Sequence, residues 1–83
     1  MDNASLLSRI VVNPKIMRGK PAIRGTRLTV QYILKLLADG MTVERLLQEY
    51  DGLTREDVSA CLLYASSAVD DITFLPTVEA NST

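Results

Sequence analysis

Histidine is absent from the 83-residue sequence, and cysteine occurs once, at Cys61. The first absence removes the commonest general base and metal ligand. The two together exclude an all-protein structural zinc site and an internal disulfide. Aromatic residues are few (Tyr32, Tyr50, Tyr64 and Phe74), and their positions suit a core or subunit interface better than a base-stacking platform. No segment approaches the roughly 18 uninterrupted apolar residues of a membrane span, and no N-terminal apolar run has the form of a signal peptide. With a lone cysteine, this points to a soluble chain in the cytoplasm. Catalysis is left without its usual parts, so the reading is a non-enzymatic protein with no cofactor and no metal.

What is present is enough to fold. Apolar residues make up 47% of the chain, against the low hydrophobicity of disordered sequences. The expected architecture is mainly α with a small N-terminal β element. Within one domain, residues 1–83, it comprises a β element and basic ribbon at 10–28, a three-helix bundle at 29–72 and a frayed tail at 76–83. Residues 1–8 read as an irregular start. Arg9-Ile10-Val11-Val12-Asn13 is β-branched and predicts a strand of about four residues, ended by the turn signal Asn13-Pro14. Ile16-Met17 and Ala22-Ile23 supply further extended pieces, enough for a small hairpin or meander.

One helical template occurs three times. Val30, Ile33, Leu34 and Leu37 stand at i, i+3, i+4 and i+7, as do Val43, Leu46, Leu47 and Tyr50, and Val58, Cys61, Leu62 and Ala65. Each set forms an apolar stripe with the period of an α-helix. The helices are predicted from Val30 to Asp39, Val43 to Tyr50, and Arg55 to about Val69. Thr29, Thr42 and Thr54 suit N-caps, and Asp57 completes a near capping box with Thr54. Asp39-Gly40 and Asp51-Gly52 place a glycine where each of the first two helices should stop, at C′. These are helix–turn–helix connections. Cys61 on its stripe reads as a buried thiol rather than a nucleophile. Glu56-Asp57 and Asp70-Asp71 read as solvated helix ends or caps rather than acid/base pairs.

The stretch Gly19-Lys20-Pro21-Ala22-Ile23-Arg24-Gly25-Thr26-Arg27 organises the rest. If Arg18 to Arg24 is extended, Arg18, Lys20, Ala22 and Arg24 share one face and Pro21 and Ile23 the other, giving a basic ribbon with an apolar back. The charge of the whole chain is divided the same way. Residues 1–35 carry seven cations against Asp2 alone, net +6, and residues 36–83 carry two against nine acids, net −7. Such a split indicates either an anionic partner for the first half or charge pairing between the halves, within or between subunits. Gly19-Lys20 is not a phosphate-binding P-loop, which would need glycine where Pro14 stands and a hydroxyl residue where Pro21 stands.

Short helices with tight turns also raise the question of DNA. The third helix would be the reading helix, yet it opens with Arg55-Glu56-Asp57-Val58-Ser59, setting two carboxylates where phosphates would lie. Only Arg55 and Ser59 are contact candidates there. Arg18, Lys20, Arg24 and Arg27 are the stronger candidates for a partner or nucleic-acid surface.

Several of these residues carry a family resemblance. Asn13-Pro14, the GKPAIRGTRLTV run from Gly19, Leu37-Ala38-Asp39-Gly40, and Leu53-Thr54-Arg55-Glu56-Asp57-Val58 with Ala60 and Tyr64-Ala65 resemble the family called domain of unknown function 433, over about residues 10–65. The resemblance implies a small homeodomain-like helix–turn–helix protein with an N-terminal β element, paired as a homodimer. It also implies an antitoxin of the VapB type, made beside a PIN-like ribonuclease toxin that it binds and silences. As a complex, the pair is implied to bind operator DNA. Such nucleases hold catalytic Mg²⁺ with clustered carboxylates, an anionic hole that an arginine or lysine from the ribbon suits. This sequence departs from many antitoxins in the stretch after Tyr64-Ala65, which is short and not basic. Beside this stand a toxin-independent DNA-binding regulator and a structural homodimeric module.

Overall fold

A computed structural model describes residues 2–70. It has four helices and a two-strand antiparallel sheet. The order is α1 (Asn3–Leu7), β1 (Ile10–Val11), a 3₁₀ turn (Met17–Gly19), β2 (Ala22–Ile23), α2 (Val30–Ala38), α3 (Val43–Glu49) and α4 (Arg55–Val69). The expected extension of the bundle to residue 72 and the tail at 76–83 lie outside the described residues.

The three predicted helices form within a residue of their expected bounds, because their ends are set by local chemistry. Thr29, Thr42 and Thr54 each accept from the backbone N–H three residues on, at 3.0, 3.1 and 3.1 Å. Asp57 closes the capping box by accepting from Thr54 N at 3.1 Å. The two glycine stops differ. After α2, Gly40 at φ +102 is a true C′ residue, with Met41 N–H bonded to Leu36 O and Gly40 N–H to Leu37 O, the double bond of a Schellman turn. After α3 the C-cap is Tyr50 in an extended conformation, so Gly52 lies one residue later than expected. It sits inside a turn closed by Leu53 N–H on Tyr50 O at 3.1 Å.

The N-terminal stretch is not irregular. Asp2 caps α1 by accepting from Ser5 N–H at 2.7 Å, a bond that holds the Asp2 carboxyl below its ordinary range. This short helix packs along α4. β1 is only two residues long and pairs with β2 in the register Ile10 opposite Ile23 and Val11 opposite Ala22. A hairpin of that size is marginal alone, and here it rests on the helices.

α4 is the centre of the fold, since α1, α2, α3 and β1 all pack on it. The core joins Ile23 of β2, Val30 and Ile33 of α2, Leu46 of α3, Leu53 of the turn, and Val58 and Cys61 of α4. On α4 the expected stripe is rotated. Leu62 is 50% exposed, whereas Ala60 is fully buried. The buried face runs through Asp57, Val58, Ala60 and Cys61, with Tyr64 partly buried beyond them, and Asp57 meets Arg9 at 3.1 Å. Burial, and secondarily the Asp57 charge, pushes the Cys61 thiol up to about 11, which keeps it protonated and inert at neutral pH. Tyr32 and Tyr50 tie α2 to the end of α3, with hydroxyls 2.7 Å apart and rings edge to face at 6.1 Å.

Candidate functional site

The basic stretch does not form a straight ribbon. Met17 and Arg18 take left-handed φ values of 51 and 57°, followed by Gly19 at 76°. The turn is closed by Gly19 N–H on Ile16 O and Lys20 N–H on Met17 O. Arg18 is therefore not in register with Lys20, Ala22 and Arg24, and the expected shared face is broken. Nor do Ala22 and Ile23 alternate in burial; both are buried. Ala22 is flanked on both sides, by Val11 in the sheet and by a bridge to Thr29.

From Ile23 the chain reverses sharply. Thr26 N–H bonds Ile23 O at 3.0 Å across Gly25, whose φ of +79° is the value a type II turn requires at that position. The Thr26 hydroxyl donates to Ile23 O at 2.8 Å and accepts from Leu28 N–H at 3.0 Å. Ile23 N–H then bonds Leu28 O, and Val30 N–H bonds Pro21 O. The Gly25-Thr26-Arg27 sequence is thus a clamped loop. It leads straight into the Thr29 cap of α2.

Facing this loop is the segment after β1, itself folded by Asn13, whose side chain accepts from Lys15 N–H at 2.9 Å and whose carbonyl accepts from Ile16 N–H. Between the two lies an open bay of about 700 Å³. Lys20, Arg24 and Arg27 line it together with an apolar wall of Val12, Pro14 and Ile16. Val12 and Ile16 are exposed. Three of the six site residues expected from sequence are brought together here. Arg18 does not line the bay. Arg55 and Ser59 lie away from it on α4, where Arg55 is bound to Glu44 at 2.6 Å. The apolar wall was missed because Asn13-Pro14 signals only a turn, and the β1–β2 pairing is what carries it across to the cations.

Ion pairing divides the cations cleanly. Among the described residues, Arg9, Lys35, Arg45 and Arg55 each pair with an acid. Lys15, Arg18, Lys20, Arg24 and Arg27 pair with none. Arg24 instead donates to Ser8 O at 3.0 and 3.3 Å, anchoring the end of α1, and Lys20 reaches Gln31 Oε1 at 3.5 Å. Cations beside an apolar wall form an anion-seeking surface, since low-dielectric neighbours strengthen a charge-assisted hydrogen bond. No group of three or more His, Cys, Asp and Glu side chains suited to a metal occurs among the described residues. None of their helices is long and apolar enough to cross a membrane.

Residues 10–65 match the family described as protein of unknown function, DUF433. The chain belongs to the DUF433 family. A crystal structure of a DUF433 member from Anabaena variabilis superposes with a TM-score of 0.73 at 31% identity, covering 82% of this chain and 67% of that one. The uncharacterized protein y4eO of Sinorhizobium fredii is 32% identical over 66 residues. That match covers 80% of this chain but 30% of y4eO, so the DUF433 chain spans under a third of that relative's length.

Proposed function

We propose that this DUF433 protein is a non-enzymatic, antitoxin-like binding protein whose basic bay engages the carboxylate-rich active site of a PIN-like ribonuclease. The observation that carries the reading is the division of the cations. Those outside residues 15–27 have acid partners in the described chain, and those within do not. That favours an external anionic partner over charge pairing between the two halves. Arg27 or Lys20 entering a cluster of metal-binding carboxylates would supply the charge the metal supplies and bar the substrate. The apolar wall of Val12, Pro14 and Ile16 would seat the rim of the partner around that contact.

The reading retains a homodimer, in which a second copy would extend a sheet too short to stand alone, and a homeodomain-like disposition of α2, α3 and α4. Operator binding, if carried by the complex, would fall to the bay cations before α4, because Arg55 is already held by Glu44 and followed by Glu56 and Asp57. The test is co-expression with the protein encoded next door, then pull-down and a ribonuclease assay of that neighbour with and without this chain. A stable complex with suppressed cleavage is expected. Absence of a complex, or unimpeded cleavage within one, overturns the reading.

A further inference from the structure

Arg24 lines two hollows at once. One is the bay, and the other, of about 410 Å³, is lined also by Ser5, Ser8, Arg9 and Asp57. One edge of the Arg24 guanidinium, Nε and Nη2, donates to a single acceptor, Ser8 O, at 3.3 and 3.0 Å. Two bonds to one oxygen fix the plane of the fork as well as its position. Nη1 has no acceptor among the described residues. The other bay cations are not held in this way. Lys20 reaches Gln31 Oε1 at a long 3.5 Å, and Arg27 makes no side-chain hydrogen bond among the described residues.

Ser8 O is itself a fixed point. Ser8 is the C-cap of α1, with its N–H on Ala4 O at 3.1 Å and its hydroxyl on Ser5 O at 2.6 Å. The next residue is pinned too, since Arg9 pairs with Asp57 and its carbonyl accepts from Arg24 N–H at 2.8 Å. We infer that α1 is a positioning element for the bay, which holds Arg24 through the Ser8 carbonyl and so presents Nη1 to a carboxylate bound there. That role rests on the reading of the bay as a carboxylate site and adds the element that prepares Arg24 for it. A guanidinium fixed in advance gives up less side-chain freedom on binding than a free one, and its remaining donors match the geometry of a carboxylate. None of the α1 residues is buried, so α1 can lose its hold on Arg24 while the bundle stays folded.

The test uses the full chain with citrate as the carboxylate probe, titrated by NMR through the amide shifts of Gly25, Thr26 and Arg27. Leu6→Pro breaks α1 by removing the Leu6 N–H bond to Asp2 O, and it leaves the net charge unchanged. It should weaken citrate binding roughly 2- to 10-fold. The Arg24 Nε–H should exchange faster with water, while the core methyls of Ile33 and Leu46 stay in place. Leu6→Gly is the milder second variant and should act in the same direction, whereas Leu6→Ala keeps the helix and should bind as the parent does. In an Arg24→Gln background Leu6→Pro should have no further effect, since the helix acts through that side chain. The inference is overturned by a parent that binds no citrate in the bay or by a Leu6→Pro chain that binds as tightly as the parent. Equal losses in both backgrounds, or a loss in Leu6→Ala matching that in Leu6→Pro, overturn it as well. The expected coupling in a chain that captures no nuclease would sink the proposed partner and leave the role of α1 standing.

Discussion

Arg9 and Asp57, 48 residues apart in sequence, meet through Arg9 Nη1 and Asp57 Oδ1 at 3.1 Å, while the other Asp57 oxygen accepts from Thr54 N–H at 3.1 Å. One carboxylate therefore caps α4 and fastens the residue before β1 to it. Asp57 is buried and Arg9 half-buried, which shields the pair from full solvent screening. Asp57→Ala should cost about 2 kcal/mol, roughly half from the cap and half from the orphaned guanidinium. For a domain of this size that lowers Tm by about 10 °C. Thermal unfolding followed by circular dichroism reads it. A loss well under 1 kcal/mol would show that the junction contributes little.

Arg18 gives a prediction of opposite sign. A non-glycine residue in the left-handed region carries a penalty of about 1–2 kcal/mol, and among the described residues Arg18 makes no ion pair that offsets it. Arg18→Gly removes the penalty and gives back about 0.4–1 kcal/mol through a more flexible unfolded chain. The variant should be as stable as the parent or up to about 1 kcal/mol more so. Gly19→Ala should destabilise by about 1 kcal/mol, although the added Cβ would meet Pro14 Cα at an ordinary 3.7 Å. Denaturant melts of the two variants decide the matter, and a destabilised Arg18→Gly contradicts the left-handed turn.

The same turn explains where the sequence is readable and where it is not. Threonine caps, apolar stripes and Gly40 act within a few residues, so α2, α3 and α4 are legible in the sequence alone. Asp2 with Ser5 three residues on was an equally local signal for α1, hidden by the helix being only five residues long. Met17 and Arg18 carry no such signal, since neither residue type favours positive φ, and the extended ribbon expected there was wrong. Lys20, Arg24 and Arg27 were legible as site candidates from charge and punctuation alone. Their apolar counterpart was not, because Val12 and Ile16 reach the bay only through the pairing of β1 with β2, and pairing register is not a local property.

Glu44 offers a pH-dependent readout. The hydrogen bond from Arg55 holds its carboxyl below the ordinary range, reinforced by a backbone hydrogen bond and the guanidinium charge. A depressed folded-state value means that the bridge between α3 and α4 contributes above the unfolded carboxylate range and is lost as pH falls through the folded value. Titration of the Glu44 side-chain carbon by NMR should therefore give a midpoint below that of an unpaired glutamate. Arg55→Met should move it back up. An unchanged midpoint in that variant would mean the 2.6 Å contact does not persist in solution.

Charge reversal in the bay separates a binding surface from a merely solvated one. Lys20 and Arg27 are the clean positions, because Arg24 also holds the Ser8 carbonyl and its loss would loosen α1. A charge-assisted contact contributes about 1.5–3 kcal/mol, so, on the proposed function, Arg27→Glu or Lys20→Glu should weaken binding of a PIN-like nuclease encoded next door by roughly 10- to 100-fold. Thermal stability should stay near that of the parent, as neither side chain is in an ion pair among the described residues. Arg18→Glu, outside the bay, should leave affinity nearly unchanged, and binding by the parent should fall as salt rises. Titration calorimetry against the neighbouring nuclease of the proposed pair measures all three variants. Equal losses at Arg18, Lys20 and Arg27 would indicate diffuse attraction to net charge, whereas a loss confined to Lys20 and Arg27 places the contact in the bay.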